Sequence, residues 1–154
     1  MTYRLMCGTK ELVLDSTKIM GILNVTSDSF SDGGKFLCVD AAVAHAQQMA
    51  ADGADIIDIG GESTRPGSHP ISLQAELRRV LPVVEILVHK LDIPLSIDTT
   101  KYRVAEQCLR LGAAIVNDVS GLADTEMRRV AAKHNAPVII MHMQGTPRTM
   151  QVRP

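Results

Sequence analysis

Five short apolar runs recur along the chain, each pair separated by a stretch of helical period. That alternation limits the fold more than any other feature. The runs are "IMGILNV" (19–25), "ADIIDIG" (54–60), "PLSIDT" (94–99), "AAIVNDV" (113–119) and "PVIIMHM" (137–143). None is polar at every second position, so each reads as a strand buried on both faces of a parallel sheet. Strand then helix, repeated, predicts βα units joined by right-handed crossovers.

The intervening segments carry helical stripes. Ala42, Val43, Ala46, Met49 and Ala50 share one face, and Gly53 can end that helix. Leu73, Leu77, Val80, Leu81, Val84 and Leu87 form the second stripe behind a Ser72 N-cap. Pro82 inside this stripe predicts a kink or a restart rather than continuous helix. Val104, Ala105, Cys108 and Leu109 form the third stripe, closed by Gly112, and Met127, Val130 and Ala131 the fourth, behind Asp124. Before the first apolar run, "YRLMCGTKELVLD" reads as two short strands around Gly8-Thr9, a hairpin. No linker or composition break divides residues 1–154, so they form one domain or part of one.

The chain has 154 residues, 45% hydrophobic and 21% charged, with a formal net charge of -1. A near-neutral balance gives no support to nucleic-acid binding. No apolar run approaches the roughly 18–20 residues of a membrane span, and no signal peptide is expected. Cys7, Cys38 and Cys108 show no metal or disulfide spacing, which suits packing roles in a reducing cytoplasm.

Polar residues stand at the C-terminal end of every run: Asn24, Asp58, Asp98, Asn117 with Asp118, and His142. In parallel α/β folds ligands sit at those ends. A strand-end acid can equally cap the next helix, and that reading stays open for Asp58 and Asp118. Several such ends on successive strands ask for a shared partner, because burying unpaired carboxylates costs several kcal/mol. Two loops behind the strands are also polar. "NVTSDSFSDGG" (24–34) taken alone reads as a solvated turn. "GESTRPG" (61–67) has turn-forming glycines and proline, but Arg65 is a fork-shaped donor suited to a carboxylate or phosphate. His142 has no HxxxH or Cys/His partner and reads as structural rather than as a metal ligand.

The segments "IMGILNVTSDSFSDGG", "DIIDIGGESTRPG", "PLSIDTTK", "GAAIVNDVSG" and "IIMHMQGTPRTMQ" resemble the successive signature segments of the dihydropteroate synthase family, in that family's order and spacing. Ser27 departs from the pattern, where the family has Pro. The resemblance implies a (β/α)8 TIM-barrel fold, of which this chain carries an N-terminal hairpin, five strands and four helices. It implies the condensation of 6-hydroxymethyl-7,8-dihydropterin diphosphate with 4-aminobenzoate, releasing diphosphate, in folate biosynthesis.

Residue by residue, the resemblance assigns Asn24 to the Mg²⁺ that holds the diphosphate. It assigns Asp98 and Asn117 to the pterin ring edge and Met141 to the pterin face. Thr64 and Arg65 fall on the 4-aminobenzoate side, and Phe30, Ser31 and Asp32 on the first mobile loop. Asp98, Asp32 and Arg65 are the expected catalytic groups. A cytoplasmic homodimer is implied, with the dimer helices lying later in the family's sequence than Pro154.

The family's further groups also lie later: an Asp on the sixth strand, a Lys on the seventh, and an Arg with a nearby His on the eighth. The chain is therefore expected to be the N-terminal portion of such an enzyme. By itself it should be inactive, and marginally folded unless it self-associates, because five strands cannot close a barrel built for eight. Two other functions stay open. A methyltetrahydrofolate-handling transferase would share Asp98 and Asn117 without needing a metal–diphosphate site, and a pterin-binding chain could lack catalysis altogether.

Overall fold

The computed structural model describes residues 2–25, 35–63 and 69–142. The first apolar-alternating stretch folds back on itself as expected. Strands β1 (Tyr3–Cys7) and β2 (Lys10–Leu14) pair antiparallel from Tyr3↔Leu14 to Cys7↔Lys10. Gly8 makes the reversal at φ +63°, a conformation glycine adopts without penalty.

The five apolar runs become β3 (Met20–Asn24), β4 (Ile56–Gly60), β5 (Leu95–Asp98), β6 (Ile115–Asp118) and β7 (Val138–Ile140). They form one parallel sheet in chain order, β3-β4-β5-β6-β7. Between them lie α1 (Lys35–Ala51), α2 (Leu73–Lys90), α3 (Tyr102–Leu111) and α4 (Thr125–Lys133). Five parallel strands in sequential order, with a helix in each of the four connections between them, make a continuous arc of a β/α barrel.

The helix-facing side holds the main core. Leu23, Ile57, Ile59, Leu95 and Ile97 pack against Val80, Val83, Val84, Leu87, Val104 and Cys108. The third and fourth stripes are buried as their spacing dictates, and α3 ends at Gly112 in the left-handed conformation (φ 112°). Ser72 and Asp124 cap their helices by accepting from Ala75 N at 3.2 Å and Glu126 N at 2.8 Å.

Of the two outcomes expected at Pro82, a kink or a restart, the restart does not occur. α2 runs unbroken from Leu73 to Lys90 with Pro82 inside it. Val80, Val83, Val84 and Leu87 are fully buried around the proline. Their burial, at about 1.5–3 kcal/mol per large apolar side chain, outweighs the roughly 3 kcal/mol a mid-helix proline costs.

The opposite, concave side changes character along the strands. At the N-terminal ends, Cys7 and Leu12 of the hairpin pack on Ile56, Ala114 and Ile115, with Met20 and Ile139 beside them. Lys10 ties the hairpin down by donating to the carbonyls of Leu91 (2.7 Å) and Ile93 (3.0 Å). The hairpin therefore plugs one end of the concave face and leaves the C-terminal ends of the strands open. Ile22 on that face is 53% exposed, and at the edge strand Val138 and Ile140 are 40% and 60% exposed. No described helix covers that edge.

Candidate functional site at the C-terminal ends of the strands

The strand register sets four functional positions in one row. Asn24 pairs with Gly60, Gly60 with Asp98, and Asp98 with Asn117. Residues in register on parallel strands point to the same face, about 4.8 Å apart. Period-two alternation puts this row on the concave side, since Ile57, Ile59 and Ile97 occupy the helix side. Asp58 and Ser96 form the next row down.

Gly60 lies between the two outer side chains. A Cβ there would stand 3.4 Å from Asp98 Oδ2 and 3.9 Å from Asn24 Oδ1. Both oxygens thus converge on the space above the glycine. Asn117 Nδ2 donates to Asp58 Oδ2 at 2.9 Å, so Asp58 is neither a helix cap nor free. Asp58 Oδ1, Ser96 Oγ and Asp98 Oδ1 are buried without a hydrogen-bond partner. An orphaned buried polar group typically costs about 1–3 kcal/mol, so three on adjacent strands mark a place built for something else.

The electrostatics agree with the geometry. Burial, followed by the Asp58, Glu76, Asp118 and Glu62 carboxylates, pushes the Asp98 pKa up to about 7. Burial also raises Asp58, while the Ser96 hydroxyl and the Asn117 amide pull it back. Ser96 Oγ exerts that pull without itself meeting hydrogen-bond geometry. A carboxyl crowded in this way keeps its proton to higher pH than a free one, and once ionised it binds ligand N–H donors strongly.

Asp118 takes a different role from its neighbour. It shares the helix side with Val116; its Oδ1 accepts from Ser120 N at 2.8 Å and closes the turn after β6. Met141 directly follows β7, two residues past the concave-facing Ile139, with its carbonyl 3.5 Å from where a Gly121 Cβ would stand. His142 is exposed. Phe30, Ser31, Asp32, Thr64 and Arg65 lie outside the described residues, as does Ser27.

The sequence reading missed an ion network behind the "GESTRPG" loop. Lys101 Nζ donates to Glu62 Oε2 and, at 2.6 Å, to Glu76 Oε2. Thr99 Oγ1 donates to the other Glu76 oxygen at 2.6 Å. Arg79 reaches Gly61 O at 2.7 Å. Burial lowers the Lys101 pKa, but its two carboxylate partners more than offset this and leave it raised. The signal was in the sequence: Glu76 stands three after Leu73 and four before Val80, on the inward stripe, where a lone acid requires a buried partner.

Among the described residues no group of three or more His, Cys, Asp or Glu side chains could hold a metal by itself. Asn24 is exposed at the rim with its amide oxygen over Gly60. One neutral oxygen suits a hard cation that arrives with phosphate oxygens and waters, as Mg²⁺ usually does. Among the described residues the donor set therefore fits a Mg²⁺ that arrives with its substrate. A separate cleft of about 330 Å³ opens on the helix side of β3, lined by Leu23, Val25, Cys38 and His45 among others. It touches Asn24 but neither Asp98 nor Asn117, so it is not where the polar row converges.

Comparison with known proteins bears on this geometry. The sequence model of the family described as pterin binding enzyme matches residues 20–154. The dihydropteroate synthase of Synechocystis is 54% identical over 136 residues, covering 88% of this chain and 47% of that protein. That of Bacillus subtilis is 52% identical over 129 residues, covering 83% and 45%. The chain spans about half the length of the curated relatives it matches. Among solved structures, the Yersinia pestis dihydropteroate synthase with a sulfonamide drug superposes with a TM-score of 0.88 at 48% identity, covering 99% of this chain and 55% of that one. The Xanthomonas albilineans enzyme with 4-aminobenzoic acid gives a TM-score of 0.88 at 48% identity, covering 94% and 53%.

Proposed function

From the premise that the chain belongs to the pterin-binding enzyme family, we propose that it forms the pterin-binding half of a dihydropteroate synthase. The reaction joins 6-hydroxymethyl-7,8-dihydropterin diphosphate to 4-aminobenzoate. The observation that carries this reading is the concave row, where Asp98 and Asn117 stand side by side and Asp98 Oδ1 is buried without a partner. A pterin edge, with its amino and ring N–H groups, answers that need. Relatives named for the same activity support it, as does the 7,8-dihydropteroate complex of the Xanthomonas albilineans enzyme (TM-score 0.81, 44% identity). The names of those relatives favour this reading over a methyltetrahydrofolate transferase.

Asp98 would accept N–H bonds from the pterin. As the methylene C–O bond breaks, its electron pair leaves with the diphosphate and positive charge spreads into the ring. An ionised Asp98 held beside that charge stabilises it more than water could. The aniline nitrogen of 4-aminobenzoate then forms the C–N bond and gives up a proton. Because that nitrogen is a weak nucleophile, orientation supplies much of the rate. Asn24 would hold Mg²⁺, whose chemistry when bound is to neutralise the departing diphosphate. Met141 would pack on the pterin face. Thr64 and Arg65 would meet 4-aminobenzoate, with Phe30, Ser31 and Asp32 on the neighbouring loop. A cytoplasmic homodimer completes the reading, and free, buried Cys7 and Cys108 suit a reducing compartment.

The test is calorimetric titration with the dihydropterin diphosphate and Mg²⁺, followed by mass-spectrometric assay after 4-aminobenzoate is added. The protein expressed from its complete reading frame should bind one pterin per chain and form 7,8-dihydropteroate. Absence of pterin binding by that product would overturn the reading.

A further inference from the structure

Asp58 is buried on the concave face, one row below Asp98 and two strands away from Asn117. On a flat sheet those two side chains would not meet, because two strand spacings are about 10 Å and two residues of rise about 6.6 Å. The curl of the barrel arc nevertheless places Asn117 Nδ2 2.9 Å from Asp58 Oδ2. The ionised Asp58 carboxylate offers only acceptors, so it holds the nitrogen end of the Asn117 amide, as the contact at Oδ2 has it. The amide oxygen accepts no hydrogen bond from any described side chain and is left for the open, C-terminal side of the row.

We infer that Asp58 is a positioning and specificity-determining residue. By fixing the Asn117 amide with its nitrogen turned away, it presents the ligand with an acceptor at Asn117 beside the acceptor at Asp98. Two acceptors on neighbouring strands select a heterocycle edge that carries adjacent N–H donors. A 2-amino-4-oxopteridine has such an edge. Its 2-oxo counterpart places a carbonyl against one of the acceptors and is rejected. The inference rests on the pterin reading above and adds the residue that enforces ligand polarity. Asp58 touches Asn117, not the ligand, and acts through it.

The two ligands are compared by calorimetric titration of the protein expressed from its complete reading frame. Wild type should prefer 6-hydroxymethylpterin over its 2-oxo analogue. In the isosteric variant Asp58→Asn, residue 58 can bond either end of the Asn117 amide. The preference should then fall about ten-fold or more, the order expected for one mispaired buried polar group. A purely structural role would weaken both ligands alike and leave the ratio unchanged. That result, in a variant with wild-type circular dichroism, overturns the proposal.

The exchange variant Asp58→Asn/Asn117→Asp keeps the pair bonded and returns an acceptor to position 117. Recovery of the 2-amino preference supports the proposal, and no recovery counts against it. If neither variant folds, a crystal structure of wild type with 6-hydroxymethylpterin decides. Asn117 Nδ2 must remain on Asp58, and its rotation toward the ligand would refute the role. Wild type that binds neither pteridine overturns the pterin reading and this inference together. Wild-type selectivity retained in Asp58→Asn overturns this inference alone.

Discussion

Lys101 Nζ donates to the carboxylate of Glu76 at 2.6 Å, and Glu76 is fully buried within α2. The bond joins the loop after β5 to the helix that follows β4. The same ammonium holds Glu62 at the head of the next polar loop. Two strand-end loops are thus referenced to one buried acid. Because Glu76 is 1% exposed at its side chain and Lys101 26%, the pair sits where desolvation is costly and a missing partner is felt.

Removing only the cation should therefore be severe. Lys101→Met leaves Glu76 charged and buried, a change that typically costs about 3–5 kcal/mol. Lys101→Met/Glu76→Met removes both charges and should recover most of that loss. Urea unfolding of the two variants measures it. A single variant as stable as the double would show that the pair contributes nothing.

The pH dependence of stability follows from Asp98. Its folded pKa of about 7 lies above the ordinary 3.8, so the folded state holds the proton more tightly than the unfolded chain does. The contribution of this group is fully present below about pH 4 and is lost as pH rises toward 7. Wild type minus Asp98→Asn, compared by unfolding at a series of pH values, should lose stability across that window and level off above it. Pterin binding should run the other way, weakening as pH falls below 7, because the ionised carboxylate is the better acceptor. A flat difference curve between pH 4 and 7 would refute the assignment.

The fold was legible because its signals are periodic. The stripe Val104, Ala105, Cys108 and Leu109 is buried residue for residue, and Gly112 stops α3 where the pattern stops. Asp98 and Asn117 were legible as strand-end polar residues, since any parallel sheet turns those ends toward one rim. What could not be read depends on three dimensions. The Asp58–Asn117 bond needs the curl of the sheet. Asp118 differs from Asn117 only by one step of the pleat, which sends it to the helix side to close a turn. The restart allowed at Pro82 does not occur, because the buried valines around it outweigh local propensity.

At the ligand, Asp98→Asn keeps the shape of the side chain but replaces two acceptor oxygens with one acceptor and one donor. Pterin affinity should fall about 10- to 100-fold, the effect of losing one charge-assisted bond and gaining one mismatched donor. Titration with 6-hydroxymethylpterin at pH 8, where wild-type Asp98 is ionised, gives the comparison. Equal affinities would remove Asp98 from the binding site.

Adjacent glycines should separate binding from folding. A Cβ on Gly61 would lie 2.8 Å from Val80 Cγ1 and 3.0 Å from Glu76 Cγ. Both belong to the buried face of α2, which cannot retreat without opening the core. Gly61→Ala should therefore lose about 1–3 kcal/mol of stability, the usual cost of overpacking. A Cβ on Gly60 meets nothing closer than Asp98 Oδ2 at 3.4 Å, an ordinary contact, so Gly60→Ala should fold with near wild-type stability. The added methyl nonetheless stands between Asn24 and Asp98, in the space where their oxygens converge. Gly60→Ala should thus bind pterin diphosphate more weakly while melting near the wild-type temperature. Thermal melts and calorimetric titrations of both variants test the pair. If Gly60→Ala binds normally, the space between those two side chains is not occupied by ligand.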